Sequence, residues 1–177
     1  MTSKRAFSAI SAGTVFAASV AIGLASFSAD ASTTKTATFL VSLTVSSDCS
    51  ISATALPFGT ATSALATTAI THNSSISVTC STGTTYSVAL DKGTTTGSAV
   101  TARLLAGAIS TNTQTVGYQL YSDSGLSAIW GDATGGAPVT GTGTGSLVAI
   151  PVYGQVPAQP IPLADNYTST ETATITF

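Results

Sequence analysis

Charge is what this sequence has least of: 5 Lys or Arg and 7 Asp or Glu stand among 177 residues, with one His, one Met and one Trp. So thin a basic complement cannot line a phosphate backbone, which argues against a nucleic-acid partner. Two cysteines, no Cys-x-x-Cys pair and the lone His72 fall short of the ligand set of a zinc centre. His72 would also have to serve as the base of any hydrolytic triad, and no Gly-x-Ser-x-Gly elbow supplies its nucleophile. The few acids stand mostly beside turn residues, where Asp is expected for its own hydrogen bonding, rather than as the facing pair that glycoside hydrolysis needs. The expectation is a non-enzyme without cofactor or metal.

Long apolar runs are confined to the N-terminus. Lys4 and Arg5 precede an uncharged stretch from Ala6 to Leu24, and Ala29-Asp30-Ala31 fits the small-x-small cleavage rule, so residues 1–31 read as a secretory signal peptide. Ser8, Ser11, Gly13, Thr14, Ser19 and Gly23 interrupt the stretch, whereas a membrane anchor needs about 20 predominantly apolar residues. Beyond it, Lys35, Lys92 and Arg103 face six acids, a net charge of −3. So few repelling groups suit packing against other copies of the chain. Export also leads to an oxidising compartment, where Cys49 and Cys80 are expected to pair. Closing that loop stabilises the fold by about 3 to 4 kcal/mol in the chain-entropy model.

What the sequence has in abundance is two-residue alternation. Ile76, Val78 and Cys80 alternate with Ser75, Ser77 and Thr79; Tyr86, Val88 and Leu90 with Ser87 and Ala89; Val116, Tyr118 and Leu120 with Gly117, Gln119 and Tyr121. Strands are expected over 146–153 and 168–177 as well, the latter with Ala173, Ile175 and Phe177 on its inner face. Turn signals at Asp91-Lys92-Gly93, Asp123-Ser124-Gly125, Gly135-Gly136-Ala137-Pro138 and 157–166 separate them, which argues for an all-β sandwich. Only 98–109 leaves room for a short helix. The run Gly141-Thr142-Gly143-Thr144-Gly145 precedes a strand pattern rather than a helix, so it reads as a hairpin connection and not a phosphate loop.

One alternating segment stands apart. Ala37, Phe39, Val41, Leu43 and Val45 share one face of a stretch between the signal peptide and Cys49, opposite Thr36, Thr38, Ser42 and Thr44, with Leu40 the exception. Periodicity alone does not say whose sheet it joins. The rest of the chain resembles the spore coat protein U domain, which includes major subunits of archaic chaperone/usher pili. The resemblance rests on Cys49-x-Ile51, Phe58-Gly59, Ile76-x-Val78-x-Cys80, Arg103-Leu104-Leu105, Tyr118-Gln119-Leu120-Tyr121-Ser122-Asp123 with Trp130-Gly131, Val152-Tyr153-Gly154-Gln155-Val156-Pro157 and the closing 167–177 strand.

The resemblance implies an incomplete immunoglobulin-like β-sandwich completed by donor-strand exchange from a neighbouring subunit. It divides the chain into a signal peptide (1–31), a donor-strand extension (32–47) and a pilin body (48–177). Ala37, Phe39, Val41, Leu43 and Val45 are then the donor plugs, and Ile175 and Phe177 border the groove where a chaperone binds. The implied partners are identical subunits in a homopolymer, a periplasmic chaperone, an outer-membrane usher and, at the fibre end, a tip adhesin. The implied location is the cell surface, reached through the periplasm, with adhesion and biofilm formation as the task. Three other readings remain: a tip adhesin of the same pilus system, against which the single domain's length and the donor segment argue, a spore or cyst coat component, and a secreted sugar- or surface-binding sandwich using Trp130, Tyr118 and Tyr121.

Overall fold

The computed structural model describes residues 32–177, so the expected signal peptide lies outside the described residues. Of the described residues, 32–42 belong to one unit and those from Leu43 onward to another. In the first, 32–42 carry no regular secondary structure and are exposed throughout.

The second unit is built from nine strands: β1 (Cys49–Ala53), β2 (Ile70–Cys80), β3 (Thr85–Leu90), β4 (Arg103–Gly107), β5 (Thr115–Tyr121), β6 (Val139–Thr142), β7 (Leu147–Val156), β8 (Tyr167–Thr168) and β9 (Ala173–Thr176). Six form an antiparallel sheet in the order β1-β2-β7-β5-β4-β8, and three form a second in the order β6-β3-β9. The alternating positions read from the sequence face the interior: Ile76, Val78, Val88, Leu90, Val116, Leu120 and Val152 are buried together. Cys49 stands opposite Cys80 across the β1–β2 ladder, and the two form a disulfide with an S–S distance of 2.02 Å.

Three expectations are corrected. The 98–109 segment is not helical: Arg103–Gly107 is a strand, because its main chain is claimed by β5 on one side, from Arg103 opposite Tyr118 to Ala106 opposite Thr115, and by β8 on the other. The strand expected over 168–177 splits into β8 and β9, which lie in different sheets. The glycine run at 141–145 is not a hairpin connection either. β6 pairs with β3 whereas β7 pairs with β2, so the run crosses between sheets, with Gly145 at φ +76° donating its N–H to the Cys80 carbonyl at 3.0 Å.

Candidate functional site: an open apolar cleft

β9 pairs with β3 along one edge, Val88 opposite Ile175 and Leu90 opposite Ala173. Among the described residues no strand pairs with its other edge. Beside it opens a cleft of about 1050 Å³ that reaches the core, where Leu65, Ile76, Leu105, Val116, Leu120 and Val156 line it. Residues 54–62, which belong to no strand, line it too. They send Leu56 and Phe58 inward, two residues apart as in an extended chain, and Phe58 meets Tyr118 edge-on with ring centroids 6.0 Å apart. β7 makes room for them with Gly154: a Cβ there would stand 2.9 Å from both Leu56 Cδ2 and Phe58 Cζ. A sandwich that leaves such an interior open has apolar surface and unpaired main-chain groups still to cover.

One side of the cleft is polar and tightly held. Arg103 is fully buried, with 0 % of its surface exposed. Its guanidinium donates to the carbonyls of Asp91 (Nη2, 2.7 Å), Trp130 (Nη2, 2.9 Å) and Val100 (Nη1, 3.0 Å), and to Gln119 Oε1 (Nη1, 2.6 Å). Glu171 Oε2 lies 3.2 Å from Arg103 Nε. The other oxygen of Glu171 accepts hydrogen bonds from the Tyr118 hydroxyl and, at 3.0 Å, from Ser169 Oγ. Burial, together with that hydrogen bond and the charge of Glu171, raises the Tyr118 pKa well above the ordinary phenol value. Nearby, partial burial pushes Asp91 upward, but hydrogen bonds from the Thr172 and Gly93 amides outweigh it and hold the carboxyl below the usual range.

The residues singled out in the sequence fall in two places. Ala37, Phe39, Val41, Leu43 and Val45 are all exposed, Phe39 at 86 % and Leu43 at 87 %, and none belongs to a strand. Ile175 packs on the core from β9, whereas Phe177 beyond it is exposed. The aromatics of the sugar-binding reading form no surface platform: Trp130 and Tyr118 are buried, the indole Nε1 donating to the Val88 carbonyl at 2.8 Å, and Tyr121 is half-buried. His72 is exposed on β2, where its ring nitrogen meets the Asn73 carbonyl at 3.1 Å. Sequence reasoning missed the cleft lining from Leu56, Leu65 and Leu105 and the pairing of Arg103 with Glu171. For Leu56 and Phe58 the two-residue spacing was a usable signal.

Comparison with known proteins bears on the fold and the family. No curated protein matches the chain. Among solved structures, the chaperone-tip adhesion subunit pre-assembly complex CsuC-CsuE from archaic chaperone-usher Csu pili of Acinetobacter baumannii is similar, with a TM-score of 0.54 and 24% identity. The likeness covers 76% of this chain and 40% of that one, and shows a shared fold. The model of the spore coat protein U domain matches residues 35–174, taking in the exposed alternating segment and the body with its cleft. The chain therefore belongs to the spore coat protein U domain family.

Proposed function

We propose that the chain is a structural subunit of a chaperone–usher pilus and polymerises by donor-strand complementation into surface fibres for adhesion and biofilm formation. The observation that carries this reading is that one chain holds both halves of a strand-addition contact. It has an apolar cleft beside an unpaired strand edge, and an exposed segment outside any strand with an apolar side chain at every second position. In such a contact the main chain of 37–45 bonds to the free edge of β9, while Phe39, Val41, Leu43 and Val45, with Ala37, enter the cleft. Nine residues at about 3.3 Å each span roughly 30 Å of groove. Burying the four larger side chains contributes about 6 to 12 kcal/mol before ordering costs.

Donor and acceptor are different surfaces, so the contact is head-to-tail and generates a filament rather than a closed ring. Before assembly the open cleft is an aggregation hazard, which a periplasmic chaperone meets by lending a strand along β9, towards Ile175 and Phe177, although Ala173 is the β9 residue that lines the cleft. The outer-membrane usher is then the place where the donor segment of the next subunit replaces that strand. The pre-assembly complex from Csu pili, in which a chaperone accompanies a tip adhesion subunit, supports the chaperone step.

The test is to express the full chain and a variant lacking 36–46, each with the cognate chaperone. The full chain yields ladders that survive detergent and collapse on boiling; the deletion yields only soluble chaperone-bound subunit. Folded monomers from both, without any chaperone, would refute the reading.

A further inference from the structure

The inward pattern of the last strand does not fix its own register. Ala173, Ile175 and Phe177 repeat every second residue with Thr172, Thr174 and Thr176 between them, so sliding β9 along β3 by two positions keeps every side chain on its face. That slide would set Phe177 opposite Val88 and Ile175 opposite Leu90. It would also cover Phe177, which is 55 % exposed in the observed register. Apolar burial alone therefore does not hold the strand where it is.

We infer that the ion pair between the buried Arg103 and the partly exposed Glu171 sets the register in which β9 docks on β3, which makes Glu171 the positioning residue of the free strand edge. Arg103 cannot follow a sliding strand, because the carbonyls of Asp91, Val100 and Trp130 fix its guanidinium. A two-residue slide moves Glu171 by about 6 to 7 Å, at about 3.3 Å per residue. The guanidinium would then be buried without its anion, the arrangement that destabilises a buried pair most strongly. The neighbouring main-chain bonds do not discriminate in this way. Thr172 exchanges its amide and carbonyl with Asp91, at 2.9 Å to the carboxylate and 3.1 Å from the amide, and Thr174 offers the same groups after a slide. Among these β9 contacts only the carboxylate is unique to one position, while β8 just upstream is held separately on β4.

The fold makes room for that carboxylate. Gly93, at φ +78°, lies so close that a Cβ there would collide with it, and Tyr118 and Ser169 hold its second oxygen. The consequence for assembly rests on the donor-strand reading: the pair decides which main-chain groups of β9 an incoming strand finds opposite it. The register itself lies within one chain and is measured without any fibre, so failure of this inference and failure of that reading are distinguishable.

Cysteine trapping on the outer face reads the register in the full chain. Ala89→Cys with Thr174→Cys reports the observed pairing, and Ala89→Cys with Thr176→Cys reports the slide. Cross-links are mapped by mass spectrometry, and emission of the single Trp130 reports folding. With Glu171 present, the first pair is expected to trap at least tenfold more than the second. With Glu171→Ala the second is expected to rise to a comparable yield. If Glu171→Ala does not fold, the double variant Arg103→Met with Glu171→Met, which buries no charge, carries the same measurement. Exclusive trapping of the first pair in a folded variant lacking Glu171 overturns the inference.

Discussion

Leu43→Asp separates the fibre contact from the stability of the body more cleanly than any other single change. In the free chain the Leu43 side chain is 87 % exposed, so the body loses almost nothing when it is replaced. In a filled cleft the same side chain is covered, and its burial contributes about 1.5 to 3 kcal/mol. At about 1.4 kcal/mol per factor of ten, its loss alone weakens each subunit contact by about tenfold to a hundredfold. An aspartate placed there would add the cost of burying a carboxylate without a partner. The assay compares two melting curves from one preparation: the temperature at which detergent-treated ladders fall apart, and the loss of buried Trp130 emission in dispersed subunits. The first is expected to drop sharply while the second stays in place. Ladders as heat-resistant as those of the unaltered chain, or a body that melts in step with its fibre, would refute the argument.

Two further outcomes bear on the body. Replacing both cysteines, Cys49→Ser with Cys80→Ser, opens a loop closed across a sequence separation of 31 and should cost about 3 to 4 kcal/mol in a urea titration; a loss below about 1 kcal/mol would mean that the unfolded chain is not constrained by the bond. Tyr118 has a folded-state pKa above its unfolded value of about 10, so its contribution to stability is complete below that pH and is lost as pH rises through the folded value. Alkaline unfolding followed by Trp130 emission should therefore lose this component in Tyr118→Phe, and an unchanged profile above about pH 10 would show that the phenol does not couple to folding.

β3, β5, the second half of β2 and most of β7 were legible because large apolar residues there fall at every second position and nothing competes with that alternation; the first half of β2, where His72 and Ser74 take the alternating places after Ile70, reads as loop or strand edge. β1 and β6 were not legible, since Cys49–Ala53 and Val139–Thr142 are short and built mostly of small residues that carry little hydrophobic contrast. β4 was misread for a different reason. Its Arg103 occupies an inward position that a periodic reading assigns to an apolar side chain, and only the carbonyls and the Glu171 carboxylate of distant segments make a cation tolerable there. At the candidate site the alternating positions from Ala37 to Val45 could be read from one local segment, whereas the cleft could not. Its lining comes from β2, β4, β5, β7, 54–62 and 161–171, with Leu90 of β3 and Ala173 of β9, and which strand edge stays open depends on how the two sheets are ordered. The sequence pattern of the last strand is likewise silent on register, which is a property of the 103–171 pair.

The disulfide has a mechanical meaning for a chain that is pulled. Cys49 begins β1, four residues after Val45, and its sulfur is bonded to the last residue of β2. Tension applied through the extended segment reaches a covalent link before it reaches the β1–β2 hydrogen bonds, so β1 is not peeled from the sheet one rung at a time. The load passes into β2, whose ladder with β7 runs from Ile70–Val156 to Thr79–Leu147 and is the longest in the body. A fibre of such subunits would yield first at its strand-to-cleft contacts, and each body would keep its shape while they slip.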